Sequence, residues 1–174
     1  MAIRKILTEP DSFLRQKSVK VDDVNDELRS LMDDMLETMY AAPGIGLAAI
    51  QIGVPKRVIV IDLSKNDEKK NPLYFVNPEI ISSSSIDAAY EEGCLSVPGQ
   101  FAEISRPDKC TIQFLNYDGK EQILHAEGLL ATCIKHEVDH LEGILFIDYL
   151  SKLKKTMIVK KLSKQKKSLE RIVV

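Results

Sequence analysis

The chain has 174 residues, of which 44% are hydrophobic and 29% are charged, with eight glycines and seven prolines. This length and composition predict one globular, soluble domain with a sizeable core, and they exclude collagen-like, low-complexity and intrinsically disordered proteins. The net charge of −2 hides an asymmetry, because residues 151–174 carry nine basic side chains and one acidic side chain, a net charge of +8, which leaves −10 for residues 1–150.

Apolar runs are short, as in residues 58–61, and none approaches the roughly 18 residues that a membrane span needs, so we expect no membrane partner. Charged and proline residues interrupt the first eleven residues before a secretory core could form, which indicates a cytoplasmic protein. An odd number of cysteines without a signal peptide favours thiol or metal chemistry over a disulfide framework. The three cysteines are Cys94, Cys110 and Cys133.

The predicted elements begin with a helix over residues 28–40, where apolar residues recur every three or four positions after a possible cap at Asn25 or Asp26. Short apolar or alternating runs predict extended segments. These are 57–63, 72–81 with a bend or edge at Pro78, and a hairpin of 109–115 with 121–126 around the turn 117–120. Residues 82–85 predict a loop.

A second helix is predicted from Gly128 to about Leu141, with Gly143 placed to end it. Strands that cluster before one helix, without strand–helix alternation, indicate an α+β fold. We expect a mostly antiparallel sheet packed around this central helix, with an N-terminal helix and a basic C-terminal helix. The predicted organisation is one catalytic domain over 1–150 and a helical extension over 151–174.

The sequence His136-Glu137-Val138-Asp139-His140 matches the pattern H-E-x-x-H and falls on the second predicted helix. Residues four apart lie on one helix face, so His136 and His140 can converge on one metal ion, while Glu137 can reach a water molecule beside it. The segment therefore predicts a metal centre.

A catalytic site of this kind needs a third protein ligand and one open position. His125 is too distant along the chain segment, and Cys133 lies about 10.5 Å of helix rise from His140, so Cys133 is better placed in a pocket wall. Cys110 is typical of a buried strand cysteine. Cys94, in the glycine-bearing segment 92–96, remains as the third ligand.

A third segment, 44–51, reads Gly-Ile-Gly-Leu-Ala-Ala-Ile-Gln. On its own it is as consistent with a turn and a small-residue packing face as with a functional segment. Its glycines, Gly44 and Gly46, would let a ligand come close to the backbone, as Gly93 would in the segment of Cys94. Gln51 adds a side-chain amide.

These three segments, in this order and spacing, closely resemble the peptide deformylases, as does the opening segment 10–15. The resemblance covers about residues 1–150. It implies that Cys94, His136 and His140 hold one metal ion per chain, that Glu137 is the acid and base, and that Gln51 and the Leu95 N–H stabilise the oxyanion. It also implies Fe²⁺ as the ion, with Zn²⁺ or Ni²⁺ as possible substitutes.

The implied reaction is removal of the N-formyl group from the formylmethionine of nascent peptides, with release of formate. Residues three, four and seven before His136 share its helix face and should line the cavity: Cys133, Thr132 and Leu129. With Ile45 they form a mostly apolar slot that suits a methionine side chain. Lys135, Phe101 and Thr132 depart from the common family pattern.

Glu92 and Asp139 are candidates to fix imidazole tautomers, and Arg106 to brace the segment of Cys94. In this family a C-terminal helix docks on the ribosome, and the basic residues 151–174 are a candidate for that contact or a solvated terminus. Two alternatives remain open. One is another metallopeptidase completed by Glu142 or Asp148, and the other is a non-catalytic zinc-binding module with four protein ligands.

Overall fold

The computed structural model describes residues 1–172, and its first helix, α1, spans Asp26–Ala41. The helix begins where the Asn25 side chain accepts a hydrogen bond from the backbone N–H of Leu28 at 2.9 Å. Its buried face carries Leu28, Met32 and other apolar side chains at helical spacing. The predicted helix and one of its two candidate caps are thereby confirmed.

Seven strands lie between α1 and the second α-helix in the chain. They are β1 (Gly46–Ala48), β2 (Val58–Ile61), β3 (Leu73–Ser83), β4 (Asp87–Cys94), β5 (Val97–Pro107), β6 (Lys109–Leu115) and β7 (Glu121–Glu127). Five of them form an antiparallel sheet in the order β1-β2-β3-β6-β7, and β4 and β5 form a separate antiparallel pair. The predicted hairpin is β6–β7, and the predicted buried strand is β2.

The loop predicted over residues 82–85 is partly wrong. Ser82 and Ser83 belong to β3, where they pair with Thr111 and Cys110 of β6. Their side chains are exposed, so serine costs little there, and the backbone hydrogen bonds of the ladder decide the conformation.

The β4–β5 hairpin and the short strand β1 had no strand signal in the sequence. Few positions of β4 are buried, and its composition of Asp, Ala, Glu and Gly is unlike that of most strands. These two elements nevertheless form two walls of the cavity described below.

The second helix, α2, spans Gly128–Leu141, as predicted. Its residues Ala131, Ile134 and Leu141 are buried in one cluster with Ile59 and Phe75 of the five-stranded sheet. Gly143 has a φ of +74°, a conformation that glycine adopts without strain, and the chain leaves the helix there. The α+β fold with an antiparallel sheet around a central helix is confirmed.

The third helix, α3, spans Lys152–Ile172 and is the predicted basic C-terminal helix. Leu162 is buried in a cluster with Val97 and Phe146, while most of the other side chains of α3 are exposed. None of the helices in residues 1–172 has the length and apolar character that a membrane crossing requires.

Candidate active site

The three predicted metal ligands, Cys94, His136 and His140, come together between β4 and α2. Their candidate ligand atoms all lie within 4.8 Å of one another, and Cys94 Sγ lies 3.3 Å from His140 Nε2. Cys94 is the last residue of β4, and the two histidines are one helical turn apart on α2. The strand end and the helix face therefore present one compact donor set.

This donor set fits a divalent first-row metal ion. One thiolate and two imidazoles are ligands that Zn²⁺, Fe²⁺ and Ni²⁺ accept, at separations of a few ångströms. Cys94 and His136 also line a cavity, so one side of the cluster faces space that a substrate can enter. The residues present thus match a three-ligand site with an open position.

The other histidine and the other cysteines lie elsewhere, as expected. His125 is on β7, where its Nδ1 lies 3.0 Å from Thr111 Oγ1. Cys110 is buried in the core, and Cys133 lines the cavity. Burial raises the pKa of Cys133 to about 12, so its sulfur remains a neutral thiol.

Glu92 orients His136, because Glu92 Oε2 lies 2.9 Å from His136 Nδ1 and leaves Nε2 for the ligand cluster. Burial lowers the pKa of His136, but its hydrogen bonds with Cys94 and Glu92 outweigh that effect and hold the pKa well above its usual value. Burial lowers the pKa of His140 well below that value.

Asp139 forms no side-chain hydrogen bond with the imidazole of His136 or His140, contrary to one expectation. Its Oδ2 accepts hydrogen bonds from Arg106 at 2.8 Å and from the Tyr149 hydroxyl at 2.7 Å. Arg106 is buried and also donates to Glu92, so it acts on the segment of Cys94 through that carboxylate. Asp139 lies on the side of α2 that faces β5 and Tyr149, which explains the difference.

Glu137 is buried beside the cavity, and its Oε2 has no hydrogen-bond partner among residues 1–172. Burial raises the pKa of Glu137 to about 7, against the opposite effect of His136. Gly46 packs directly against this carboxylate, and a Cβ at that position would overlap it. The pKa of the Glu137 carboxyl group therefore lies near neutral pH, and the contact with Gly46 fixes the position of the group.

Gln51 lines the cavity and is held in one orientation by hydrogen bonds at both ends of its amide. Its Oε1 accepts the backbone N–H of Ala48 at 2.9 Å, which turns its Nε2 toward Cys94 Sγ at 3.6 Å and Ser96 Oγ at 3.1 Å. Leu95 follows Cys94 directly and lines the same cavity. An amide donor thus lies beside the Cys94 sulfur. Ser96 belongs to the segment 92–96, and its contact with Gln51 was not predicted because it joins two segments far apart in the chain.

The cavity has a volume of about 460 Å³. All seven side chains or glycines predicted to contact substrate line it: Gly44, Ile45, Gly46, Gly93, Leu129, Thr132 and Cys133. The β4–β5 hairpin adds lining residues that were not predicted: Tyr90, Val97, Pro98, Gly99 and Gln100. Phe101 is an exposed residue at the edge of the cavity. Lys135 is not among the lining residues, and its Nζ donates a hydrogen bond to Ser83 Oγ.

The carboxylates of the alternative sites are engaged elsewhere. Glu142 Oε1 accepts from Arg57 at 2.6 Å, and Asp148 Oδ2 accepts from Arg15 at 2.6 Å. Within residues 1–172 the ligand cluster contains Cys94 and the two histidines and no fourth protein donor. Neither alternative site is assembled in this part of the chain.

Comparisons with known proteins agree with this geometry. The sequence model of the polypeptide deformylase family matches residues 3–156. A peptide deformylase of Pelagibacter ubique (strain HTCC1062) is 66% identical over 174 residues, covering 100% of both chains.

Solved structures share the fold. The peptide deformylase from Ehrlichia chaffeensis in complex with actinonin superposes with a TM-score of 0.91 at 43% identity, covering 95% of this chain and 98% of that chain. The class I type b peptide deformylase from Acinetobacter baumannii with Met-Ala-Ser bound has a TM-score of 0.81 at 30% identity, covering 86% and 99%.

Proposed function

This chain belongs to the peptide deformylase family, and from that premise we propose how its cavity removes the N-formyl group from the formylmethionine of a nascent peptide. The observation that carries the proposal is the cluster of Cys94, His136 and His140 beside the buried Glu137. Formate and a free α-amine are the products, and water supplies the second oxygen of formate.

Cys94, His136 and His140 hold the ion in this proposal. A divalent cation bound there would lower the pKa of water and withdraw electrons from the formyl carbonyl. Glu92 keeps the His136 ring in the orientation that leaves Nε2 for the ligand cluster, through the 2.9 Å contact at Nδ1.

Glu137 moves the proton. Its buried carboxylate takes a proton from the attacking water and delivers it to the nitrogen of the leaving amine. A group whose pKa lies near the working pH can do both, and burial places the pKa of Glu137 at about 7. The contact with Gly46 fixes where the transfer takes place.

Gln51 and the backbone N–H of Leu95 stabilise the charge that develops on the formyl oxygen. The Gln51 amide is oriented before the substrate arrives, because Ala48 and Ser96 bind its two ends. Donors that are fixed before reaction stabilise a transition state without a reorganisation cost.

The methionine side chain of the substrate occupies the apolar part of the cavity. Leu129, Thr132 and Cys133 lie on one face of α2 in the cavity wall, and Ile45 lies in the wall as well. The Acinetobacter relative was solved with a peptide that begins with methionine, which supports methionine as the first residue of the substrate. The backbones at Gly44, Gly46 and Gly93 leave room for the peptide chain.

We propose Fe²⁺ as the ion in the cell, as the family resemblance implies. Zn²⁺ and Ni²⁺ suit the same thiolate and imidazole ligands, and affinity alone favours Zn²⁺ over Fe²⁺, so supply and handling decide which ion is bound. One ion per chain matches the single three-ligand cluster within residues 1–172.

The proposed setting is the cytoplasm, with the ribosome as partner. Residues 1–150 carry every group of the reaction, and residues 151–174 form the extension that approaches ribosomal RNA. The extension has a net charge of +8, and an exposed cationic helix is attracted to phosphate groups.

The test combines anaerobic metal analysis with product analysis. Purified protein should contain one ion per chain and release formate from formyl-Met-Ala-Ser, leaving Met-Ala-Ser intact. Acetyl-Met-Ala-Ser serves as the control, because the larger acyl group should react far more slowly. Cleavage of the Met-Ala bond without formate release would show a peptidase instead, and tight metal binding without either reaction would show a non-catalytic module.

A further inference from the structure

Arg106 is a buried guanidinium group that joins two carboxylates beside the ligand cluster. Its Nε and Nη2 donate to the two oxygens of Glu92 at 2.6 and 3.0 Å, and its Nη1 donates to Asp139 Oδ2 at 2.8 Å. Arg106 is only 4% exposed, so water does not replace these bonds readily. Carboxylates on two sides therefore fix its orientation.

Glu92 connects Arg106 to the ligand His136. The same oxygen, Glu92 Oε2, accepts from Arg106 Nη2 and lies 2.9 Å from His136 Nδ1. A rotation of the guanidinium would move the oxygen that orients the imidazole. The position of Arg106 therefore affects how His136 faces the ion.

Tyr149 covers the outer end of this network. Its hydroxyl donates to Asp139 Oδ2 at 2.7 Å, and its ring lies over the guanidinium of Arg106 with Cζ 4.8 Å from the ring centroid. The residue is 52% exposed, so it forms the boundary between the network and solvent. Tyr149 is absent from the residues that line the cavity, and thus it lies outside the substrate site.

The turn that carries Tyr149 is fixed by other contacts. It is a 3-10 helix over Phe146–Tyr149, in which Phe146 is buried and stacks on His136 with ring centroids 6.2 Å apart. Asp148 pairs with Arg15 and with Lys155 of α3. The turn should therefore keep its place when the Tyr149 side chain is altered.

From these contacts we infer that Tyr149 is a positioning residue for His136, acting through Asp139, Arg106 and Glu92. The aromatic ring shields the guanidinium from water, and the hydroxyl fixes the carboxylate that holds its Nη1. When the ring and the hydroxyl of Tyr149 are both removed, water competes for the hydrogen bonds of Arg106 with Asp139 and Glu92, and the His136 imidazole loses its fixed orientation. The inference rests on the proposed function for the ligand set Cys94, His136 and His140.

The test uses the protein loaded with Co²⁺, whose visible absorption reports thiolate and imidazole ligation. In Tyr149→Leu we expect a changed Co²⁺ spectrum and release of Co²⁺ to a chelator about tenfold faster than in the parent. Tyr149→Phe keeps the ring and should fall between the two. For formyl-Met-Ala-Ser, kcat should fall while KM stays unchanged, because Tyr149 does not line the cavity.

Tyr117 provides the matched control. Its hydroxyl lies 3.1 Å from an Asp33 carboxylate oxygen, and its ring packs on Tyr74, away from the cavity. Tyr117→Leu should release Co²⁺ at the parental rate. A parental rate and spectrum in Tyr149→Leu, or equal acceleration in Tyr117→Leu, would overturn the inference. A parent protein that binds no Co²⁺ would instead overturn the ligand set itself.

Discussion

Gly46 lies against Glu137 so closely that a Cβ on Gly46 would overlap the carboxylate oxygen Oε1. The short strand β1 thus sets the position of the Glu137 side chain by direct contact. No other residue type fits at position 46 without displacing that carboxylate.

We expect Gly46→Ala to lose most deformylase activity while it retains its metal ion, because the methyl group moves Glu137 and leaves the ligands in place. A loss of about 100-fold in kcat is the scale for a misplaced acid and base. The double-mutant cycle with Glu137→Ala is the measurement. Gly46→Ala should cost almost nothing in the Glu137→Ala background, and additive losses would contradict the coupling.

Glu137→Ala should retain metal and lose deformylation by several orders of magnitude, because ligation is intact and proton transfer is removed. Formate release and metal content are measured on the same preparation. Glu121→Ala, at an exposed position of β7, is the matched control and should have parental activity. Activity of Glu137→Ala within tenfold of the parent would refute the proposed role.

Cys94→Ser should weaken metal binding and abolish turnover, since an alcohol is a far poorer ligand than a thiolate. Equilibrium dialysis against Zn²⁺ measures the affinity. Cys133→Ala is the control for metal affinity alone and should bind Zn²⁺ as tightly as the parent, because Cys133 lies in the cavity wall and its thiol stays protonated. If Cys94→Ser binds the ion as tightly as the parent, the third ligand is another residue.

Asp34 fastens the N-terminal segment to α1 and gives a pH prediction. Hydrogen bonds from Arg4 and from the Ala2 N–H lower the pKa of Asp34 below 3.8, against the effect of burial. A lowered pKa stabilises the fold above the ordinary carboxyl pKa, and this contribution is lost as the pH falls through the lowered value. Asp34→Asn should cost about 1 kcal/mol at pH 7.

The difference between parent and Asp34→Asn in the free energy of unfolding should therefore shrink below about pH 4. Urea denaturation at pH 7, 5 and 3 measures it. Asp118→Asn, at an exposed turn, should show no such difference. A parent–variant difference that is constant across this range would rule out the charge of Asp34 as the cause.

The exposed part of α3 should account for salt-sensitive ribosome binding. Replacing Lys164, Lys166, Lys167 and Arg171 with glutamine keeps Leu162 buried and removes four positive charges. Cosedimentation with ribosomes should weaken, and the loss of affinity with rising salt should become less steep. Turnover of a short formyl-Met peptide should stay unchanged.

Lysines of the 65–70 loop provide the control for that experiment. Replacing Lys65, Lys69 and Lys70 with glutamine removes exposed charges outside α3 and should leave ribosome binding nearly intact. If both sets of substitutions weaken ribosome binding equally, the attraction is nonspecific. If the α3 variant binds ribosomes as the parent does, α3 is only a solvated terminus.

Elements with strong periodicity could be predicted from the sequence, and elements held by tertiary pairing could not. Apolar residues recur every three or four positions in α2, and they alternate with polar residues in β6, as the buried positions of each element require. The β4–β5 hairpin buries little, so its sequence lacks a strand pattern, although it supplies Cys94 and much of the cavity wall.

The same distinction holds within the candidate site. The pair His136 and His140 follows from helix geometry, because both residues belong to one element. The contact of Tyr149 with Arg106 joins residues more than forty positions apart on a turn and a strand, and nothing local to either residue predicts it. Asp139 was expected at an imidazole because spacing alone does not show which side of α2 faces β5.

Cys94 and His140 are 46 positions apart, and the helix with both histidines comes after all seven strands in the chain. During synthesis the thiol therefore leaves the ribosome well before any imidazole that could share an ion with it. Capture of a metal ion by all three ligands must wait until α2 has emerged and docked, so metal loading follows the synthesis of all seven strands. Until then Cys94 is an unprotected thiol, and oxidants compete with metal delivery for it.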